Sequence, residues 1–197
     1  MYVREIGERK VDIGASECVS AGLVSKGRRV TRVKGHPSKM LQPQLQLCKV
    51  TNALFISNAR SACTDDLIQQ EAVTLCINVS KQQPFPESSR IAALRVPVYD
   101  DPTEDLYRYF DSCADAIRDE ASKGGHTVVY CKNGRSRSAT ICVAYLMKYR
   151  KLSLAEAFTK VRTSRSVVDP NSGFWAQLER YEQELKKRRG EVDNAPT

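Results

Sequence analysis

The sequence predicts an α/β fold: a single domain with a central, mainly parallel sheet flanked by helices. Three observations carry this. From about residue 44 onward, short apolar strands alternate with helical patterns, the order that builds a sheet covered on both faces. The β-branched and aromatic run Thr127-Val128-Val129-Tyr130 leads through a short loop into the apolar stretch 139–147, as a buried strand leads into a central helix. A chain of 197 residues, 41% hydrophobic, has room for one such core and a tail.

The elements follow in order. Residues 45–50 alternate and 53–56 are apolar after a Thr-Asn turn, which predicts an antiparallel pair. Thr64-Asp65-Asp66 is an N-cap and first-turn signal for a short helix reaching Ala72. Residues 73–79 read as a central strand, 82–89 as a Pro/Ser loop and 91–99 as a further strand ended by Asp100-Asp101-Pro102. Leu106, Phe110, Cys113, Ile117 and Ala121 trace one face of a helix that stops near Gly124-Gly125. After the strand–loop–helix centre, Ser153 and Glu156 form a capping box for a helix to about Thr163. Phe174, Leu178, Tyr181 and Leu185 mark the face of a last helix, and its basic end suits a helix C-terminus.

The domain is therefore expected over 43–188. A disordered basic extension is expected over 1–42 and a flexible tail over 189–197. The net charge is +8, but residues 1–40 hold nine Lys/Arg against four Asp/Glu and so contribute +5 of it. A basic arm before a near-neutral domain argues against nucleic acid as a partner. No run of eighteen apolar residues suggests a membrane span, and neither a secretory leader nor a myristoylated glycine is expected near Met1. Seven cysteines without pairing rhythm fit a reducing compartment, cytoplasm or nucleus. The two histidines have no ligand-spaced partners, so no metal is expected.

The chemistry concentrates in Cys131-Lys132-Asn133-Gly134-Arg135-Ser136-Arg137-Ser138. A cysteine and an arginine six positions apart meet around one small anion if the backbone between them curls into a ring. Its N–H groups then point at phosphate oxygens, and Arg137 closes the ring with a planar two-pronged contact that lysine does not reproduce. The helix N-terminus behind the loop adds positive potential, which favours both the anion and a Cys131 thiolate. A Cys/Arg pair alone arises readily by chance. Gly134, the Ser138 hydroxyl and the flanking strand and helix make this one specific. Lys132 and Arg135 read mainly as solvated, with a lesser reading in which they favour highly anionic substrates.

With these elements in place, residues from about 45 to 185 resemble the cysteine-dependent dual-specificity phosphatases. The likeness is to the small atypical branch of the protein tyrosine phosphatase superfamily, which lacks kinase-targeting domains. The anchors are the loop itself, the segment Val96-Pro97-Val98-Tyr99-Asp100-Asp101-Pro102, and Asn171-Ser172-Gly173-Phe174-Trp175-Ala176-Gln177-Leu178. The resemblance implies hydrolysis of phosphotyrosine and phosphoserine/threonine in phosphorylated proteins. Cys131 would be the nucleophile, passing through a cysteinyl-phosphate, and Arg137 with the loop amides would bind the phosphoryl oxygens. Asp100 occupies the general-acid position, with Asp101 as the alternative, and Ser138 would stabilise the departing thiolate. Asn171 and the helix after it would pack behind the loop.

One residue departs from the family pattern. Tyr130 stands where the family usually carries a histidine that helps keep the cysteine ionised, and a neutral, bulkier phenol bears on both the charge and the strand end. Low intrinsic activity is expected from it. Two other readings stay open: a weakly active phosphate-binding module that sequesters phosphorylated partners, and a phosphatase of RNA 5′-phosphate or phospholipid.

Overall fold

Strand β5 (His126–Cys131) is hydrogen-bonded on both sides, which is why every residue from Thr127 to Cys131 is buried. The computed structural model describes residues 45–88 and 90–190. The extension expected over 1–42 and the tail beyond residue 190 lie outside the described residues. Around β5 the sheet runs β1 (Cys48–Lys49), β2 (Leu54–Asn58), β5, β3 (Val73–Asn78), β4 (Ala92–Arg95). Only the β1–β2 pair is antiparallel. Parallel pairing forces crossovers, and the helices they contain cover both faces.

The two faces are unequal because successive side chains alternate. Leu54, Ile56, Ile77, Val129 and Cys131 point into the larger core, closed by α3 (Phe110–Ser122), α4 (Arg137–Arg150), α5 (Leu154–Ser164) and α6 (Ser172–Arg188). Phe55, Cys76, Val128 and Tyr130 point the other way, onto α1 (Ala59–Ala62) and α2 (Asp65–Gln70). Helix α4 crosses the middle of the larger core, and every residue from Arg137 to Met147 is buried. It ends where Lys151 takes a left-handed backbone conformation. No helix among the described residues is long and apolar enough to cross a membrane.

Three expectations shift against the structure. Helix α1 was not legible as a helix, although Asn58 caps it by accepting the Ser61 N–H at 2.8 Å. The strand expected over 91–99 pairs only through Arg95. Its last sheet bond runs from Val96 N–H to the Asn78 carbonyl, and Pro97 has no N–H to continue the ladder. The helix expected from Leu106 begins at Phe110, after a 3-10 turn at Tyr107–Tyr109. Gln177 Oε1 of α6 accepts the Leu106 and Tyr107 N–H groups at 2.9 and 2.8 Å, so this corner is set by α6. The capping box at Ser153 and Glu156 forms as expected.

Helices α3, α4 and α6 are also tied by charge. The Asp111 carboxylate takes Lys148 Nζ at 2.8 Å, Tyr181 Oη at 2.8 Å and Arg188 Nη1 at 3.0 Å. Burial alone would raise its pKa, but these donors outweigh burial and hold it at about 2. A carboxyl lowered from 3.8 to about 2 stabilises the fold above pH 4, and that contribution disappears as the pH falls toward 2. With the side chain 43% exposed, solvent screens most of the effect. Asp111→Asn is expected to cost about 1 kcal/mol in urea unfolding at pH 7, and the difference from the unsubstituted protein should shrink below pH 4 and be lost as the pH falls through about 2.

Candidate active site

Parallel strands deliver their carboxyl ends to one edge of the sheet, where open α/β folds place their ligand sites. Cys131 arrives there as the last residue of β5, and Arg137 as the first residue of α4. The loop between them turns at Gly134, whose φ of +63° suits glycine. A Cβ there would stand 2.4 Å from the Ser57 carbonyl oxygen and 2.8 Å from Asn58 N, so only glycine lets the loop lie on the end of β2.

All five carbonyls of 132–136 are engaged by the scaffold. Lys132 O accepts Ala59 N–H at 3.4 Å, Asn133 O accepts Arg165 Nη2 at 3.0 Å, and Gly134 O accepts Arg165 Nε at 2.7 Å. Arg135 O accepts Asp169 N–H at 2.9 Å, and Ser136 O accepts Thr140 N–H at 3.0 Å. In a trans peptide the N–H points opposite to the carbonyl of the same unit. The N–H groups of 133–137 therefore turn away from these partners, toward the concave side, as an anion-binding nest requires.

The side chains converge from three elements. Cys131 Sγ is buried, 3.3 Å from Ser138 Oγ. Arg137 donates from Nη1 to the Val98 carbonyl at 3.2 Å, and its Nε lies 3.8 Å from Asp100 Oδ2. Among the described residues no acceptor is within hydrogen-bond reach of that buried Nε. A buried donor of this kind fits an anionic ligand. Asp100 Oδ1 accepts Asn171 Nδ2 at 3.1 Å, while Asn171 Oδ1 accepts Phe174 N–H at 2.9 Å and so caps α6. The Asn171 N–H donates to Ser136 Oγ at 3.1 Å. Next to it, Gly173 allows the Pro102 carbonyl to approach where a Cβ would stand 1.9 Å away.

Asp101 does not join this group. Its Oδ1 accepts the Thr103 hydroxyl and N–H at 2.6 and 2.8 Å, and these bonds hold its carboxyl below the usual range. Arg135 points outward into an ion pair with Asp169, so it is paired rather than merely solvated. Lys132 is exposed and lines a cleft of about 130 Å³ together with Ser80, Lys81, Gln83, Tyr99, Asp100 and Arg137.

Tyr130 is at the strand end but faces the opposite layer from Cys131. Its ring does not displace the strand, because Ser57 and Asn78 pair with it in register on either side. The hydroxyl donates to the Pro84 carbonyl at 2.7 Å, and burial pushes its pKa up. Asn78 Nδ2 shares that carbonyl at 3.1 Å, so Tyr130 braces the loop that forms one wall of the cleft.

Arg165 and the wall residues were not singled out from the sequence. Arg165 sits in an unpatterned Thr-Ser-Arg-Ser stretch, and nothing local marks it as a clamp for a loop thirty-one residues away.

The chain belongs to the dual specificity phosphatase family: the family profile described as "Dual specificity phosphatase, catalytic domain" matches residues 54–184. The domain is that of a protein phosphatase. Among curated proteins, dual specificity phosphatase 28 of Mus musculus is 51% identical over 138 residues, covering 70% of this chain and 85% of that protein. The crystal structure of human dual specificity phosphatase 28 superposes with a TM-score of 0.71 at 48% identity, covering 74% of this chain and 97% of that one. A mouse putative dual specificity phosphatase complexed with zinc tungstate gives a TM-score of 0.73 at 45% identity, covering 82% and 100%. Among the described residues no group of three His, Cys, Asp or Glu side chains is arranged to hold a metal.

Hydrogen bonds to charged groups are worth roughly 1.5–3 kcal/mol, and Arg165 supplies two to the loop carbonyls. Arg165→Met should weaken binding of inorganic phosphate, the product of a phosphatase, about tenfold or more while the protein still unfolds cooperatively. Isothermal titration and a thermal melt on the same sample check both halves.

Proposed function

We propose that the chain hydrolyses phosphotyrosine and phosphoserine/threonine in phosphorylated proteins through a cysteinyl-phosphate. The observation that carries the reading is the convergence of Cys131, Arg137 and Asp100 on a loop whose carbonyls all face the scaffold. In the first step Cys131 Sγ attacks phosphorus in line. The S–P bond forms, the ester P–O bond breaks, and Asp100 gives its proton to the departing oxygen. Arg137 Nε and the amides of 133–137 hold the equatorial oxygens. In the second step Asp100 takes a proton from water, the water oxygen attacks phosphorus, and the thiolate leaves toward the Ser138 hydroxyl.

Asp100 Oδ2 lies 3.8 Å from Arg137 Nε, so the carboxyl and the guanidinium face the same side of the cleft. The cleft, at about 130 Å³, is well below the roughly 300–1,000 Å³ of pockets that engulf a drug-sized ligand. It is a small cleft, of a size that takes a phosphoryl group and not a drug-sized ligand.

Low intrinsic activity remains part of the proposal. Tyr130 spends its hydroxyl on Pro84 and its ring on the α1/α2 layer, so it brings no positive charge toward Cys131. The phosphate-binding module is the second reading, favoured by the same residue. Single-turnover assays separate the two. Cys131→Ser should abolish hydrolysis yet retain phosphopeptide binding, and unsubstituted protein that releases no phosphate in excess over many hours would decide for the module.

Tyr130→His, which restores a group able to carry positive charge at the strand end, is expected to raise kcat/KM on an aryl phosphate across the pH–rate profile. A Tyr130→His profile that overlays the parent would remove Tyr130 as the cause of slow chemistry.

A further inference from the structure

The two walls of the cleft are joined at its mouth by a contact that the chemistry above does not use. Lys81 belongs to the wall at residues 80–83, Tyr99 and Asp100 line the other side, and Glu104 follows four residues after Asp100. Lys81 Nζ stands 3.0 Å from Glu104 Oε1 and 3.8 Å from the centre of the Tyr99 ring. The same Glu104 oxygen accepts the Tyr99 N–H at 3.0 Å. That hydrogen bond, and then Lys81, hold the Glu104 carboxyl below its ordinary range.

We propose that Lys81 and Glu104 form a latch that positions Asp100, by fastening the backbone at Tyr99 to the opposite wall of the cleft. The proposal rests on Asp100 being the general acid.

An isolated exposed ion pair does little to fix geometry. Here both ends are mounted on restrained backbone. The Lys81 segment is gripped by Arg95, whose Nη1 donates to Ser80 O at 2.9 Å and Nη2 to Gln83 O at 3.1 Å, with the guanidinium 4.6 Å from the centre of the Phe85 ring. Asn78 adds a bond to Gln83 O at 2.8 Å, and Ser80 Oγ donates to Asn78 Oδ1 at 2.7 Å. On the far side, Gln177 Nε2 donates to the Glu104 carbonyl at 2.9 Å. The latch therefore joins two fixed points, and the exposed Tyr99-Asp100 dipeptide lies against it. The Asp100 carboxylate itself is held by Asn171 and Arg137. Those are the atoms that must rearrange when phosphate arrives. A backbone tether leaves the carboxyl free to pick up and deliver its proton.

A positioning residue for a general acid has a signature that a phosphate-binding cation lacks. Loss of the acid matters for an ester whose leaving group departs poorly as an anion, and hardly at all for one that departs unaided. The test measures kcat/KM, which reports the step that expels the leaving group, for phenyl phosphate and for 2,4-dinitrophenyl phosphate. Four variants of the full chain are compared: Lys81→Met, Lys81→Arg, Glu104→Gln and Asp100→Asn. Lys81→Met is expected to lose about tenfold on phenyl phosphate and less than about twofold on the dinitrophenyl ester. Lys81→Arg should restore most of the loss, and Glu104→Gln should show the same selectivity without adding to Lys81→Met in the double variant. Equal losses on both esters for Lys81→Met, alongside the selective loss for Asp100→Asn, would overturn the latch alone. An Asp100→Asn protein with no such selectivity would overturn the general-acid assignment and the latch with it.

Discussion

The curl of residues 132–136 is the constraint on which the rest of this structure turns. A backbone that points consecutive amides at one spot must point its carbonyls outward together, and each carbonyl left without a donor would cost free energy. The protein meets this from four directions: α1 through Ala59, Arg165 after α5, Asp169 in the following turn, and α4 itself through Thr140. Gly134 then has to lie against the backbone of Ser57 and Asn58, which requires β2 to end beside β5. The strand order, the short helix α1 and the excursion from α5 to α6 can each be read as answers to the same local demand.

The opposite layer has a related task. Tyr130 and Asn78 send their polar ends to the loop after β3, and Arg95 reaches the same loop from the edge strand. The sheet thus carries the Cys131–Ser138 loop on one side and a bracing system for the cleft wall on the other. Tyr130 and Cys131 are adjacent in the chain but serve different walls, because a strand turns neighbouring side chains to opposite faces.

Periodicity made most of the elements legible. The central strand, the apolar helix behind the loop and the capping box at Ser153 stand where local patterning put them. The loop residues from Cys131 to Ser138 and the segment around Asp100 were also visible, because each carries its chemistry in contiguous sequence. What escaped is what depends on tertiary partners. The strand at Ile91 stops early because Pro97 has no N–H to offer, and the turn that precedes the helix at Phe110 is set by Gln177, which accepts the Leu106 and Tyr107 N–H groups. Arg165, Lys81 and Glu104 are ordinary surface residues by composition. Their positions acquire meaning only from carbonyls and a carboxylate brought in by other parts of the chain. Asp101 stood as the alternative to Asp100 by sequence, and its carboxylate is taken up by Thr103 in the folded chain.

Asn171 has an implication for how such a domain can change over time. One side chain caps α6, holds Asp100 and, through its backbone N–H, steadies Ser136. The placement of Asp100 and the integrity of the scaffold therefore share a single genetic locus. Mutations that adjust the Asp100 segment in isolation must be sought elsewhere, along the 99–104 segment or the wall facing it. Divergence within this architecture is channelled toward the rim of the cleft, while the joint at Asn171 stays fixed.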